Sequence, residues 1–287
     1  MQLQSIITLA SKPVEILFRA MERSLRATGC DLPLRVIPFS DDRFELPENS
    51  EWWEEPEFLN WIDRSGRRPV MRKYQALLAS NYQFVDTDVI FLRNPAEVLA
   101  PHSGFITSCT HWHNPDQTVT DESRAILRNR TTTWQKQIFN TGQFASEEAI
   151  PSLEKLREIA EDPQYKNVIL RDAFHEQPGI NLLVALSAMP ITNLTLPPHN
   201  MESTWAGDYL DEGYMHYWRD QTRKPYLIHW AGEKMQKEHA ITELFFQHLS
   251  REEKVWFRAQ TKSNRLNKNF WQKLKHAIRA FASTVKE

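Results

Sequence analysis

The sequence has few residues of the types that mark extracellular or metal-cluster proteins. Cys30 and Cys109 are the only cysteines in 287 residues, so the chain can form neither a disulfide framework nor a zinc cluster. No apolar run approaches the roughly 20 residues that span a bilayer. The first residues lack the basic start of a signal peptide. We therefore expect a cytoplasmic protein from a reducing compartment.

The chain also lacks a large excess of charge of either sign. Its net charge is −2, so the composition gives no indication of a nucleic-acid partner. The charge is unevenly distributed, because residues 251–287 carry ten Lys or Arg and three acidic residues, a local charge of +7 that leaves −9 on the rest. A basic end on an acidic body indicates a local anionic partner.

Strand and helix patterns alternate along the chain and predict an α/β fold. Ser5–Ala10 is a short apolar run, residues 14–25 are apolar at helical spacing, and residues 34–39 form a second apolar run. This order is typical of a parallel α/β unit. By the same criteria we predict helices over residues 69–80, 151–160 and 178–186, and strands over residues 82–92, 104–109, 139–145, 191–196 and 226–230.

Two segments show no clear periodicity. Residues 41–68 are rich in acids, Pro and Trp, and we predict an irregular excursion. Residues 110–137 are polar and rich in His, Trp and Thr, which is typical of a mobile loop over a site. There is no internal repeat, so we expect one catalytic domain over residues 1–249 and a basic amphipathic helical extension over residues 250–287.

Two carboxylates, Asp86 and Asp88, lie two residues apart among strand-forming residues. In a strand these side chains would share one face and repel one another, so they require a cation. A hard divalent ion such as Mg²⁺ or Mn²⁺ takes oxygen ligands and usually also binds phosphates. The alternative is an ordinary surface turn, but the apolar flanks of the pair favour a metal site.

Several short motifs follow one another in an order that resembles the GT-A nucleotide-sugar glycosyltransferases, particularly glycosyltransferase family 8, which includes glycogenin and bacterial lipopolysaccharide galactosyltransferases. They span roughly residues 3–235. The motifs are the first strand, the helix with Arg72 and Lys73, Asp86-Thr87-Asp88, Asn140-Thr141-Gly142, Glu176-Gln177 followed by Asn181, and His229 followed by Gly232.

The resemblance implies a Rossmann-type sheet flanked by helices and a metal-dependent, retaining sugar transfer from a UDP- or GDP-sugar. Asp86, Asp88 and His229 would bind Mn²⁺ or Mg²⁺. Gln177, Glu176 and Asn140 would be catalytic residues, and Asn140 and Gln177 would lie near the transferred sugar with Gly142. The donor would also contact a wider group, made up of Thr8, Ala10, Ser11, Arg72, Lys73, Thr87, Gly142, Gly232 and Lys234.

The sequence departs from the family pattern at two places. Glu176 stands where Asp is usual, and Gly232 is followed by Glu233-Lys234 instead of Lys-Pro-Trp. Both departures bear on which glycosyltransferase family the chain resembles, and hence on the stereochemical outcome. An inverting enzyme would need a carboxylate base. Glu176, Asp172 and Asp208 are candidates for that base.

Other interpretations of the same residues stay open. A haloacid dehalogenase-like phosphohydrolase also uses a strand-borne Asp-x-Asp, with Asp86 as nucleophile, and a non-catalytic nucleotide-sugar binding protein could keep the same site.

For a transferase the acceptor would be a glycan, a lipid-linked sugar or a protein. Trp112, Trp134 and Trp205 could stack on it, although aromatic rings more often pack in the core. Residues 265–285 form a basic amphipathic pattern that could lie on the inner face of a membrane or dock on the domain.

Overall fold

A computed structural model of the chain describes residues 1–64, 69–170, 176–233, 235 and 238–260. Its main feature is a seven-stranded sheet with the order β3-β2-β1-β4-β7-β6-β8. All neighbouring pairs are parallel except those of β7, which runs antiparallel to β4 and β6. The strands are β1 Ser5–Ala10, β2 Leu34–Pro38, β3 Ser50–Trp52, β4 Tyr82–Val85, β6 Phe105–Thr107, β7 Gln143–Ser146 and β8 Ile191–Asn193.

A small second sheet stands beside the first. It consists of β5 Val89–Phe91 and β9 Leu227–His229, which pair antiparallel. The predicted strand over residues 82–92 is therefore wrong as one element: β4 belongs to the main sheet, β5 belongs to the small sheet, and residues 86–88 join them.

Helices cover both faces of the main sheet, which confirms the predicted α/β class. Residues of β1 alternate between two cores, since Ile7 and Leu9 pack on one side and Ile6 and Ala10 on the other. The α-helices are α1 Glu15–Ala27, α2 Pro56–Arg64, α3 Pro95–Leu99, α4 Asp121–Arg130, α5 Leu153–Glu161, α6 Lys166–Ile169, α7 Gln177–Leu186 and α8 Glu243–Phe246. A 3₁₀ helix spans Pro69–Leu78.

Both segments expected to be irregular contain regular structure. Residues 41–68 include β3 and α2, and α2 buries Phe58 and Ile62 at helical spacing. Residues 110–137 include α4, which begins with a capping box between Thr120 and Ser123. Favourable N-cap geometry stabilises such a helix even though its sequence is polar.

The C-terminal side of the described chain is also helical. Residues 251–260 form a helix, and Phe257 packs against Phe245 of α8 with ring centroids 5.1 Å apart. Within the described part of the chain, no helix combines the length and hydropathy needed to cross a membrane. Of the helical extension predicted over residues 250–287, residues 261–287 lie outside the described residues, and with them the membrane contact predicted over residues 265–285.

Candidate metal centre and cleft

The turn between the two sheets carries the paired carboxylates. The chain leaves the main sheet after Val85, where the backbone N–H of Asp86 donates to the carbonyl of Gly142 at 2.8 Å. It enters the small sheet after Asp88. The two carboxylates therefore meet through a turn, and not, as predicted, because they share one face of a strand.

Strand β9 brings His229 to this turn. His229 pairs with Val89 across the small sheet, and the N–H of the next residue, Trp230, donates to the carbonyl of Asp88 at 3.0 Å. The His229 Nε2 atom lies 3.2 Å from Asp88 Oδ1 and 3.9 Å from Asp86 Oδ2. Asp86, Asp88 and His229 thus present one ligand atom each within 4.8 Å of one another, a set of two oxygens and one nitrogen that suits Mn²⁺.

The backbone at Gly142 lies directly against Asp86 and His229. A Cβ atom built on Gly142 would overlap the imidazole of His229 and lie 2.8 Å from Asp86 Oδ2. A side chain at this position would therefore push the two ligands apart. The absence of a side chain lets the main chain approach the three ligand groups, and this cradle supports the assignment of a metal site.

The Lys73 ammonium pairs with Asp86 of the centre and with Glu176 at the start of α7. Its Nζ is 2.9 Å from Asp86 Oδ1 and 2.7 Å from Glu176 Oε1, and its side chain is only 3% exposed. Glu176 is equally buried and accepts a second hydrogen bond from Thr141 Oγ1 at 2.9 Å. A buried ammonium is stable only with such compensation, so Lys73 fixes the orientation of Asp86.

The charges of the centre are interdependent. Burial raises the pKa of Asp86, with Asp88 adding to the effect and Lys73 opposing it. For Asp88, burial acts upward but the charge and hydrogen bond of His229 outweigh it, so the pKa of Asp88 is lowered. Burial likewise opposes protonation of His229, yet Asp88 raises the pKa of the imidazole. Asp88 and His229 therefore each favour the charged form of the other, and a divalent cation bound there would compete with a proton for the imidazole.

Two side chains that the sequence assigned to the transferred sugar lie next to the centre. Asn140 Oδ1 accepts from the N–H of Gly142 at 2.8 Å. Gln177 Oε1 accepts from the N–H of Thr141 at 3.2 Å, and its Nε2 donates to the carbonyl of Gln117 at 2.8 Å. Both side chains are held in place by backbone groups, as residues that position a substrate must be.

The three candidate ligands, Asn140 and Gln177 line one cleft of about 580 Å³, a volume typical of small-ligand sites. The predicted residues Gly142 and Gly232 also line it. Sequence reasoning missed five further lining residues, and it had considered a sixth, Trp205, only as a possible acceptor platform. The lining residues are Val70, Asp86, Asp88, His111, Gln117, Asn140, Thr141, Gly142, Glu176, Gln177, Trp205, His229, Ala231 and Gly232.

Other predicted residues lie elsewhere. Thr8, Ala10 and Ser11 are buried and are not among the residues that line the cleft. Arg72 turns away from the carboxylates, because its guanidinium pairs with Asp63 at 2.7 Å and donates to the Pro38 carbonyl.

The remaining candidates are placed as follows. Thr87 is buried in the turn between the metal ligands. Asp208, Trp112 and Trp134 do not line the cleft. Lys234 and Asp172 lie outside the described residues.

Comparisons with known proteins bear on the fold. No protein-family model matches the chain, and no curated protein matches it. Among solved structures, the bifunctional glycosyltransferase WbbM is similar at 13% identity with a TM-score of 0.56, over 87% of this chain and 50% of that one. The glycosyltransferase GlyE of Streptococcus pneumoniae TIGR4 aligns at 10% identity with a TM-score of 0.46, over 91% of this chain and 64% of GlyE.

The chain thus spans about half the length of WbbM. At this identity the likeness establishes the fold alone, and it does not distinguish family 8 from other glycosyltransferases. The α/β fold with its mixed sheet was predicted from the sequence, and it is similar to the fold of WbbM.

Proposed function

We propose that this chain is a metal-dependent glycosyltransferase that takes its sugar from a nucleoside-diphosphate donor. The observation that carries the proposal is the convergence of Asp86, Asp88 and His229 on one side of a 580 Å³ cleft. A divalent ion there would neutralise the charge that develops on the leaving diphosphate. The glycosyltransferase fold supports this over the phosphohydrolase alternative.

The residues around the centre support a retaining outcome. Inversion needs a free carboxylate to accept the acceptor's proton. Among the described residues that line the cleft, the one carboxylate outside the metal set is Glu176, and it is held by Lys73 and Thr141. Burial raises the pKa of Glu176, but Lys73 outweighs burial and lowers it. Glu176 is therefore a structural partner of Lys73 and a poor base, while Gln177 and Asn140 orient the sugar.

The acceptor in this proposal is a glycan or a lipid-linked sugar that stacks on Trp205. The Trp205 indole lines the cleft, and its Nε1 donates to the Ala231 carbonyl at 3.1 Å. Gly207 makes room for the ring, since a Cβ there would overlap the indole. Membership of family 8, a place on the inner face of the membrane and contact through residues 265–285 belong to the proposal as well.

A panel assay tests the proposal. The protein is incubated with UDP- and GDP-sugars, with and without MnCl₂, and released nucleoside diphosphate and thermal shift are measured. We expect Mn²⁺-dependent stabilisation by UDP or GDP and release of the diphosphate. Asp88→Ala should abolish both, whereas Asp31→Asn, at an exposed carboxylate outside the cleft, should change neither.

Three results would contradict the proposal. Thermal stabilisation by nucleotide and diphosphate release that do not depend on Mn²⁺ would show that the mechanism needs no metal. Hydrolysis of phosphomonoesters that is lost in Asp86→Asn would indicate a phosphohydrolase. Tight binding of nucleotide sugar without turnover, in the presence of a broad acceptor panel, would indicate a binding protein.

A further inference from the structure

A cysteine and a histidine form a hydrogen-bonded pair at the wall of the cleft. Cys109 Sγ lies 3.0 Å from His111 Nδ1. The thiol is buried, and the imidazole is partly exposed and lines the cleft. The metal set is made of Asp86, Asp88 and His229, so neither residue of the pair belongs to it.

The hydrogen bonds around the sulfur determine which ring nitrogen of His111 carries the proton. Cys109 Sγ accepts from the backbone N–H of Asn140 at 3.1 Å and from that of His111 at 3.4 Å. Burial raises the pKa of the thiol to about 11, so the S–H proton is retained. Nδ1 of His111 is the acceptor within reach of that proton. If Nδ1 carried a hydrogen instead, the sulfur would accept three bonds and its own proton would have no partner.

The other nitrogen then carries the ring's hydrogen. Burial, with smaller contributions from His229 and His113, lowers the pKa of His111 to about 4, so the ring is neutral near pH 7. Its Nε2–H has no hydrogen-bond partner among the described residues. The cleft wall thus holds an uncharged donor whose direction is fixed by its thiol partner.

A small side cavity lies next to this donor. Its volume is about 10 Å³, and its lining includes His111, Asn140 and Trp205 together with His229 of the metal set. This is about the space of one water molecule or one hydroxyl group. Asn140 uses its Oδ1 to accept from Gly142, so its Nδ2 is directed away from that bond and is a second donor. Two neutral donors at a cavity of this size match the lone pairs of one hydroxyl oxygen.

We infer that His111 is a positioning residue that binds a sugar hydroxyl through Nε2–H, and that Cys109 holds it in the required tautomer. The inference rests on the proposed function for the identity of the oxygen as a sugar hydroxyl. The hydroxyl can belong to the donor sugar or to the acceptor. Cys109 acts as a hydrogen-bonding group here, so it needs neither a thiolate nor a redox change.

The tautomer can be measured without any substrate. In a two-dimensional ¹⁵N–¹H spectrum of histidine-labelled protein at pH 7, we expect His111 in the Nε2–H form, assigned by its loss in His111→Gln. Cys109→Ser keeps a donor and should keep this tautomer, whereas Cys109→Ala should yield a mixture. A charged ring or an Nδ1–H form in the wild-type protein would overturn the inference, whether or not the chain is a transferase.

Substrate recognition is measured with His111→Ala, His111→Gln and, as a matched control, His113→Gln at the exposed histidine two residues away. A glutamine amide can place a donor near the Nε2 position. We expect kcat/KM to fall roughly 10-fold in His111→Ala, the cost of one such hydrogen bond. His111→Gln should recover most of the loss, and His113→Gln should behave as wild type.

Calorimetric titrations with UDP, UDP-glucose and UDP-galactose in MnCl₂ distinguish the two sources of the hydroxyl. A donor-sugar contact weakens binding of the sugar nucleotides to His111→Ala and leaves UDP unchanged. An acceptor contact leaves all three unchanged and raises KM for the acceptor alone. Equal loss in His111→Ala and His111→Gln, or no change in either, would overturn the positioning role.

Discussion

At the scale of single residues, the tightest packing in the cleft is at Gly142. A methyl group there would overlap the His229 ring and crowd Asp86 Oδ2. We predict that Gly142→Ala displaces one ligand, and displacement of a reacting or binding group by about 1 Å can cost roughly 100-fold in rate. Calorimetric titration of Mn²⁺ and the rate of diphosphate release should both show the loss.

Gly213→Ala is the matched control for that change. A Cβ at Gly213 would meet its nearest neighbour, His216 Nδ1, at 3.7 Å, which is an ordinary contact. Gly213→Ala should therefore bind Mn²⁺ as the unaltered protein does. Normal Mn²⁺ binding by Gly142→Ala would show that the ligands are not held by close packing of this backbone.

Lys73 carries the other prediction at this scale. Replacement by Met leaves Asp86 and Glu176 without their shared cation in a buried setting. Removal of one partner of such a pair typically costs 3–5 kcal/mol, so we expect Lys73→Met to lower the free energy of unfolding by about that amount in urea titrations. Lys73→Met combined with Glu176→Gln should recover part of it.

An exposed lysine provides the comparison. Lys155 pairs with Glu158 on the surface of α5, with 53% and 67% of the two side chains exposed, and such pairs contribute little. Lys155→Met should leave the free energy of unfolding nearly unchanged. Equal effects of the two lysine variants would mean that Lys73 is not electrostatically coupled to the centre.

At the scale of elements, local sequence patterns predicted what local interactions determine. The apolar run Ser5–Ala10 is β1 as predicted, and residues 178–186 lie in α7. The strand over residues 82–92 was wrong because strand formers flank the Asp86 turn on both sides. The predicted strand is divided because β5 pairs with β9, which lies about 140 residues further along the chain. A local sequence pattern does not show such a distant pairing.

The same distinction applies to the site. Short motifs predicted a site at Asp86, Asp88, His229, Asn140 and Gln177, and the structure places all five in the lining of one cleft. His111 and Gln117 have no motif, and they reach the cleft through the path of a segment that looked like an irregular loop. Arg72 pairs with Asp63 of α2. This helix was not predicted, because the surrounding residues 41–68 are rich in acidic residues and Pro.

One contact between elements fixes the approach to Gly142. Asn181 of α7 accepts from the N–H of Phe139 and donates to its carbonyl, both at 2.9 Å, and so replaces a strand partner. Asn181→Leu keeps the branching and the number of side-chain heavy atoms but leaves two buried backbone groups unpaired, at about 1–3 kcal/mol each. We predict a loss of about 2–5 kcal/mol in urea unfolding together with weaker Mn²⁺ binding.

Asn60→Leu on the exposed side of α2 controls for the loss of an amide as such and should change neither quantity. If Asn181→Leu keeps the free energy of unfolding of the unaltered protein but still loses Mn²⁺ binding, the hydrogen bonds to Phe139 orient the site without contributing to stability. Unchanged Mn²⁺ binding would contradict the positional role of α7.

At the scale of the whole molecule, the first residues after the predicted boundary at residue 249 contact the rest of the described chain. Phe257 contacts Phe245 and Phe246, and Glu253 forms a bidentate ion pair with Arg23 of α1. The helix of residues 251–260 therefore covers part of a further hydrophobic cluster, which contains Ile228 and Trp230 on either side of His229.

Two truncations separate the role of this helix from that of the basic segment after it. A chain of residues 1–249 exposes Phe245 and Phe246, which we expect to cost roughly 2 kcal/mol and to lower Tm by about 4–8 °C. A chain of residues 1–260 retains these contacts and should match the full chain in Tm and in its Mn²⁺ response. It should, however, lose binding to vesicles that contain anionic lipid, because seven of the ten basic residues after position 250 lie beyond residue 260 and each contributes about 1 kcal/mol near such a surface. Vesicle sedimentation at low and high salt measures the binding. Equal binding by the full chain and the chain of residues 1–260 would place the membrane contact elsewhere or remove it from the proposed function.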